Sequence, residues 1–283
     1  MQFNSNDFLI FLGLFLLVYY LVRRSLAARN LLIVAASYVF YGWWDYRFVP
    51  LLFLTSLVDY GAGLGLNRCT SAAGRKALLG LSILANLSVL FVFKYFDFFK
   101  ESLEGLLTSA GWNPRWSGLR LILPVGISFY TFQSLSYVVD VYRGQLRATS
   151  NLAQFLAYVS FFPQLVAGPI ERASNLLGQF ARTLRISAAD LEQGVWLILW
   201  GLFKKVVLAD NLAPLVELVF DHSDPAAPMI ALGAVAFALQ IFCDFSGYTD
   251  IARGLAKLLG FELMANFNLP YFATSVREFW RRW

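Results

Sequence analysis

The sequence predicts an all-α, polytopic transmembrane protein, and three observations support that fold class. Hydrophobic residues make up 58% of the 283 residues and charged residues only 14%, whereas a soluble domain usually carries about 25% charged residues. The apolar residues form long blocks separated by short basic clusters, as in helices that cross a bilayer. Aromatic residues reach 17%, and Tyr and Trp favour the headgroup region. The net charge of +5 therefore indicates cytoplasmic membrane loops and a lipid bilayer as partner, and nucleic acid is not predicted.

Apolar stretches along the chain predict the helices. A helix that spans a membrane needs ~20 residues. They are Phe8–Val22, Leu31–Trp44, Val49–Leu66, Ala77–Phe93, Leu119–Val141, Leu152–Val166, Val195–Phe220 and Met229–Phe245. Arg23 and Arg24 follow the first stretch instead of preceding it, so it is predicted to be a retained helix and not a signal peptide. The distribution of Lys and Arg predicts an outside N-terminus and an inside C-terminus. No repeat or linker divides the chain, so residues 1–283 are predicted to form a single transmembrane domain.

The motif FFPQLVAGPIER interrupts the sixth stretch. Pro163, Gly168 and Pro169 fall in it, and proline removes a backbone donor and breaks helices. Broken backbone at membrane depth is stable only where protein or a water-filled cavity surrounds it. Basic residues flank the stretch on both sides, so we expect a re-entrant segment with both ends on the cytoplasmic side. An ordinary kinked span is the alternative.

The segment QIFCDFSGYTDIARG places polar side chains within an apolar run. They are Asp244, Ser246, Tyr248 and Asp250. At helical spacing Asp244 and Tyr248 share one face, and Ser246 and Asp250 share the neighbouring face. Ionisable groups at membrane depth usually face a cavity or a partner, so this cluster is a candidate site. We expect Asp244→Ala to be strongly damaging, because a buried partner would lose its hydrogen bond. Gly247 is a candidate break in the helix.

A purely structural interpretation of this cluster remains open. Asp250 would then pair with Arg253 or another arginine at the end of a helix. Lys204 and Lys205 lie within the predicted Val195–Phe220 span. Either they extend to the inner interface, or a shorter helix begins after them.

No motif predicts a metal or nucleotide site. The one histidine, His222, lies in the acidic, proline-bearing stretch DHSDPAAP, where no orienting partner stands at helical spacing. Cys69 and Cys243 are far apart in sequence and form no CxxC pair, so neither a disulfide framework nor a zinc site is indicated.

The last motif is NFNLPYFATSVREFWRRW. Thr274 or Ser275 is a candidate helix cap, with Glu278 three residues after Ser275 as in a capping box. The helix that follows is rich in Trp and Arg, which is typical of an anchor at the inner membrane interface.

Five motifs in one order carry a family resemblance: PVGISFYTFQSLSYVVDVYRG, FFPQLVAGPIER, CDFSGYTDIARG, NFNLPYF and EFWRRW. Together they resemble the membrane-bound O-acyltransferase family, in the branch that acetylates exported polysaccharides such as alginate. The resemblance implies a partial ring of helices around a funnel, with re-entrant segments, in a bacterial inner membrane. It implies transfer of acetyl from a cytoplasmic donor, such as acetyl-CoA, toward polymer hydroxyls, with no cofactor bound. The implied partners are the exported polysaccharide and periplasmic or membrane-anchored acetylation proteins.

The resemblance also suggests which side chains bind substrate or line the funnel. They are Asp244, Ser246, Tyr248, Asp250, Gln164, Glu171, Arg277, Glu278, Trp280 and Arg281. The family's essential histidines would follow EFWRRW, beyond Trp283, so no catalytic residue is assigned within the chain. We expect residues 1–283 to be the N-terminal part of an acyltransferase that lacks the C-terminal catalytic region and is inactive alone. The alternatives are a transporter or channel, and a scaffold without acyl-transfer activity.

Overall fold

The computed structural model describes residues 1–112, 122–166, 168–169, 171–221 and 226–283, and the regular structure in these ranges is helical throughout. The helices of the first half are α1 (Asn6–Val22), α2 (Leu26–Asp45), α3 (Val49–Arg68), α4 (Ala72–Leu90), α5 (Phe96–Ser109) and α6 (Ile127–Tyr142). Those of the second half are α7 (Leu152–Ser160), α8 (Ala173–Phe180), α9 (Ala188–Leu202), α10 (Asp210–Phe220), α11 (Ala227–Leu258) and α12 (Val276–Arg282). Two π-helical segments, Phe91–Tyr95 and Phe203–Ala209, join α4 to α5 and α9 to α10.

The all-α membrane architecture predicted from the sequence is confirmed. Three of the described helical runs are long and apolar enough to cross a membrane: Leu26–Arg68, Ala72–Ser109 and Ala227–Leu258. The apolar α1 is shorter, at 17 residues. Large apolar side chains cover its outer face, and Leu14 is 62% exposed. Such a surface suits lipid, because a soluble protein rarely exposes a large contiguous apolar patch.

Several boundaries differ from the predicted stretches for identifiable reasons. Polar residues at the end of α11 face a neighbouring helix, so the helix continues to Leu258 instead of stopping at Phe245. The predicted Val195–Phe220 span is α9 and α10 with a π-helical segment between them. The fifth stretch becomes α6, which begins after Gly126, a residue with φ of 73°. The first residues of that stretch, and His222, lie outside the described residues.

The FFPQLVAGPIER segment is interrupted, as predicted. Helix α7 has only nine residues, about 14 Å of helix against the ~30 Å of a bilayer core. The backbone leaves the helix at Phe161, and the following residues are buried. One freed donor, the Phe162 N–H, is satisfied by Ser37 Oγ at 3.1 Å, which is how broken backbone survives inside a membrane protein. The segment is thus interrupted, and its re-entrant course, with both ends on one side, stays a prediction, as does the alternative of a kinked span.

Arg29 holds the end of α8 from inside the core. Arg29 follows the basic pair Arg23 and Arg24, which comes after the first apolar stretch, and such basic residues are typical of a cytoplasmic loop, yet its side chain is fully buried. The guanidinium donates to the carbonyl oxygens of Phe180 at 3.0 Å and Arg182 at 2.9 Å. The Phe180 carbonyl, at the helix C-terminus, has no intrahelical partner and carries partial negative charge, and the Arg182 carbonyl lies just beyond it. They therefore take the place of a carboxylate as partner for the buried cation.

The end of α11 is attached to the first half of the chain. Tyr19 Oη donates to the carbonyl oxygen of Leu259 at 2.5 Å. Nearby, the rings of Phe161 and Phe180 lie 5.1 and 4.6 Å from the Phe261 ring, centroid to centroid. Aromatic contacts of this kind add to the burial energy. They fix the position of α11, which carries the candidate site.

Candidate functional site

Helices α9 and α11 pack closely at two glycine pairs. A Cβ atom on Gly201 would lie 2.5 Å from the carbonyl oxygen of Gly247, and one on Gly254 would lie 2.5 Å from that of Gly194. Small residues allow helix backbones to approach in membranes. The prediction that Gly247 breaks the helix is wrong, because α11 runs without interruption from Ala227 to Leu258. The glycine provides space for a neighbouring backbone.

The π-helical segment that follows α9 brings two adjacent lysines against α11. The Lys204 ammonium donates to a carboxylate oxygen of Asp250 and, at 3.3 Å, to Ser246 Oγ. The Lys205 ammonium lies 2.7 Å from Asp244 Oδ1. Because successive residues of a helix point in different directions, the two lysines meet the two faces that the spacing of α11 predicts. Both therefore have partners within the protein, and π-helical turns of this kind frequently occur at functional sites.

A cavity of about 300 Å³ opens beside the Lys204–Asp250 pair. Its wall is formed by Trp200, Lys204, Phe242, Ser246, Thr249, Asp250, Arg253, Asn266, Phe267, Asn268 and Leu269. Arg253 donates to the second carboxylate oxygen of Asp250 at 3.3 Å. Thr249 is 2% exposed, and neither its hydroxyl nor Arg253 Nε has a hydrogen-bond partner among the described residues. Buried polar groups are normally satisfied, so these two leave the cavity wall incompletely hydrogen-bonded within the described chain.

Asp244 and Tyr248 line a second, smaller cavity on the other face of α11, together with Lys205. Its volume is about 180 Å³, and residues near the start of the chain close it. The Phe3 ring stacks on the Tyr248 ring at a centroid distance of 4.6 Å. The predicted polar cluster is therefore divided between two cavities, with Ser246 and Asp250 in the larger one.

Gln164 and Glu171 lie in the interrupted segment and line neither cavity. The Gln164 amide donates to the Tyr158 carbonyl oxygen at 3.3 Å. Glu171 accepts from the backbone N–H of Met264 and from Asn175 Nδ2, the latter at 2.8 Å. These hydrogen bonds hold the interrupted segment against neighbouring backbone and side chains. That either residue lines a funnel stays a prediction.

The predicted cap of the last helix is confirmed. Ser275 Oγ accepts from the Glu278 N–H at 3.2 Å, and Glu278 accepts from the backbone and hydroxyl of Thr274, each at 2.8 Å. The two hydrogen bonds from Thr274, together with the Arg282 guanidinium, lower the pKa of Glu278 to about 2. Helix α12 therefore begins at a fixed point.

The other predicted residues of α12 lie near the cavity without lining it. Arg277, Trp280 and Arg281 have exposed or half-exposed side chains. Helix α12 contacts the loop of the cavity wall instead: the Asn268 N–H donates to the Arg282 carbonyl oxygen at 2.8 Å. The Trp283 ring also lies 5.1 Å from that of Phe267. Helix α12 thus supports the loop that closes the cavity.

Comparison with known proteins matches the part of the chain that holds the larger cavity. The model of the membrane-bound O-acyltransferase family matches residues 143–283, which include the whole wall of the larger cavity. The probable alginate O-acetylase AlgI of Azotobacter vinelandii is 44% identical over 288 residues, covering 100% of this chain and 56% of the relative. This chain belongs to the membrane-bound O-acyltransferase family.

Other members differ in the polymer that their names give. The peptidoglycan O-acetyltransferase of Helicobacter pylori is 34% identical over 300 residues, covering 96% of this chain and 56% of the relative. The teichoic acid D-alanyltransferase of Bacillus subtilis is 29% identical over 168 residues, covering 58% of this chain and 42% of the relative. The chain thus spans about half the length of these relatives. Their names describe group transfer, so the transporter and scaffold alternatives are not favoured.

Some residues of the larger cavity are not predicted by the sequence. The sequence places Lys204 within a predicted span without indicating its partner, and it does not indicate that Thr249 or Arg253 lines a cavity. One signal in the sequence could have indicated the role of Lys204. A charge at membrane depth is costly, so it requires a partner. No group of three or more potential metal-ligating side chains occurs in the part of the chain that the structure describes.

Proposed function

We propose that this chain is the membrane-embedded part of an O-acetyltransferase of the bacterial inner membrane. It would pass acetyl groups from a cytoplasmic donor, such as acetyl-CoA, toward hydroxyls of an exported polysaccharide such as alginate. The observation that carries the proposal is the Lys204–Asp250–Arg253 cavity, which lies within the family-matched region. The polymer is inferred from the name of the Azotobacter relative.

The cavity suits a polar group that becomes negative during reaction. Lys204 and Arg253 flank the single carboxylate of Asp250, so one positive charge is left over. The Thr249 hydroxyl and Arg253 Nε are unsatisfied donors among the described residues. Fixed donors aimed at developing charge are usually the largest contribution to acyl-transfer catalysis. We therefore assign Lys204 and Arg253 to the carbonyl oxygen of the acetyl donor, with Asp250 positioning these two cations.

The aromatic wall would protect the acetyl group. Trp200, Phe242 and Phe267 surround the polar side chains, and exclusion of water suppresses hydrolysis of an activated acyl group. Deprotonation of the acceptor needs a base with a pKa near the working pH, for which histidine is suited. We propose that residues 1–283 supply the positioning part, and that a histidine C-terminal to EFWRRW supplies the base. Periplasmic or membrane-anchored proteins would then deliver the acetyl group to the polymer.

The experiment uses alginate-producing cells whose own membrane O-acetylase subunit has been deleted. One strain receives residues 1–283, and another receives the same residues fused to the C-terminal part of the Azotobacter relative. Two further strains carry the fusion with Lys204→Met or with Lys76→Met, an exposed lysine used as the matched control. Acetyl groups on exported alginate are measured after the membrane levels of each protein have been equalised.

We expect acetylation from the fusion and its Lys76→Met control, and about 10²-fold less with Lys204→Met, comparable to the loss of one charge-stabilising donor. Residues 1–283 alone should give none. Acetylation by residues 1–283 alone would show that the base lies within them. Full activity of the Lys204→Met fusion would remove the cavity from the mechanism, and an inactive but well-expressed fusion would contradict the proposed function.

A further inference from the structure

A cleft of about 400 Å³ lies on α6, beside the start of α8 and apart from both cavities of the candidate site. One helical face supplies most of its wall, with Phe132, Leu135 and Val139 at the apolar positions. Their spacing of three and four residues forms a stripe along the helix. Phe132 is 51% exposed, so this stripe is not covered by another part of the described chain.

The end of α6 adds charge to the same cleft. Asp140 and Arg143 continue the stripe, and Arg172 joins it from the residue before α8. Both arginines are exposed, and neither guanidinium has a hydrogen bond or ion pair within the described ranges. Two guanidinium groups and one carboxylate leave a net charge of +1 at this end. Gly144, with φ of 74°, turns the chain away after Arg143, and the charged end remains open.

The length of the stripe fits one leaflet of a membrane. Phe132 and Arg143 are eleven positions apart on one helix face, which corresponds to about 16 Å. Half of a bilayer's hydrocarbon core is about 15 Å. The basic residues here are also those that the positive-inside rule places on the cytoplasmic side. The cleft thus has a charged end at headgroup level and an apolar wall as deep as one acyl chain.

We propose that this cleft binds one anionic phospholipid of the phosphatidylglycerol type in the inner leaflet. Its phosphate would lie between Arg143 and Arg172, and a glycerol hydroxyl would donate to Asp140. One acyl chain would follow the stripe from Val139 to Phe132. Basic pockets between transmembrane helices on the cytoplasmic side bind anionic headgroups. A headgroup of charge −1 balances this site, whereas a free anion would leave the apolar wall unused.

The test measures lipid retention by the purified chain in phosphatidylcholine nanodiscs that contain a small fraction of phosphatidylglycerol. Bound lipid is counted by native mass spectrometry. The test variant is Arg143→Gln/Arg172→Gln. The matched control, Arg68→Gln/Arg185→Gln, removes the same charge from two other exposed arginines. Phosphatidylethanolamine and soluble glycerol phosphate are used as competitors, and circular dichroism checks that each variant is folded.

We expect the test variant to bind phosphatidylglycerol about twentyfold more weakly, since each arginine near an anionic headgroup contributes roughly fivefold. The control should change less than twofold, and so should Asp140→Asn, which still accepts a hydrogen bond. Phe132→Ser should weaken binding without changing headgroup preference. Equal losses in test and control would mean diffuse surface attraction and overturn the proposal. A preference for phosphatidylethanolamine that Asp140→Asn abolishes would also overturn it, as would equal competition by glycerol phosphate.

Discussion

Each of the two polar faces of α11 carries a lysine–aspartate ion pair, and the two pairs differ in burial. On one face Lys204 pairs with Asp250, and the two side chains are 11% and 14% exposed. On the other face Lys205 pairs with Asp244, and the corresponding values are 35% and 54%. Removing one partner of a buried pair leaves an uncompensated charge and costs about 3–5 kcal/mol. Exposed pairs are worth about 0–1 kcal/mol, so burial and not sequence spacing decides which pair matters.

The largest expected effect is that of Asp250→Ala. It leaves the buried Lys204 ammonium without its carboxylate, so the free energy of unfolding should fall by about 3–5 kcal/mol. Unfolding in mixed micelles, followed by circular dichroism, measures it. Asp250→Asn keeps a hydrogen-bond acceptor and should lose less. If Asp250→Ala were as stable as wild type, Lys204 would have to be solvated, and the distinction between the two faces would disappear.

The next effect tests the close approach of α9 to α11. In Gly201→Ala the added methyl would lie 2.5 Å from the Gly247 carbonyl oxygen, so the helices must separate. Overpacking of this kind costs roughly 1–3 kcal/mol. Gly13→Ala is the control, because nothing lies within 4 Å of the Cβ that it adds. The same unfolding assay should show a loss for Gly201→Ala alone, and equal values for both variants would refute the glycine contact.

A smaller effect is expected for Asp244→Ala. The sequence suggested a strong effect, but the structure leaves this carboxylate more than half exposed and gives Lys205 a second partner, Asp210, at 2.9 Å. We therefore expect a change of about 0–1 kcal/mol. A loss as large as that of Asp250→Ala, measured in the same micelles, would show that the two faces are equivalent.

The smallest effect concerns pH at α12. Hydrogen bonds from Thr274 and the Arg282 guanidinium lower the pKa of Glu278 to about 2, below the ~4.3 of an unfolded chain. A depressed carboxyl pKa contributes stability that is present above the unfolded pKa and lost as pH falls through the folded value. Amide exchange of residues 274–283, corrected for its intrinsic pH dependence, should stay constant from pH 7 to 5 and then accelerate progressively as the pH falls from the unfolded pKa of ~4.3 toward the folded value of about 2. No acceleration between pH 4 and 2, or no effect of Glu278→Gln at pH 7, would contradict the cap.

The sequence predicted which polar residues share a face of α11, but not the lysines that pair with them. Asp244 and Asp250 are recognisable because charge is costly in an apolar run, and helical spacing separates their faces. Their pairing with Lys205 and Lys204 depends on a π-helical segment and on glycine contacts between two helices, which periodicity does not encode. Arg29 illustrates the same limit. A basic residue after an apolar helix indicates a loop, and only the three-dimensional fold brings the end of α8 to it.

The account's central claim is that the Lys204–Asp250–Arg253 cavity holds the acetyl donor. The most direct test measures thiol labelling of Asn268→Cys, at the cavity wall, in the active fusion with Cys69 and Cys243 replaced by serine. Acetyl-CoA should slow labelling at this position several-fold, and Lys204→Met should remove the protection. Thr70→Cys, an exposed position outside the cavity, should label at one rate throughout. Unchanged labelling of Asn268→Cys at saturating acetyl-CoA, in a fusion that acetylates alginate, would contradict the claim.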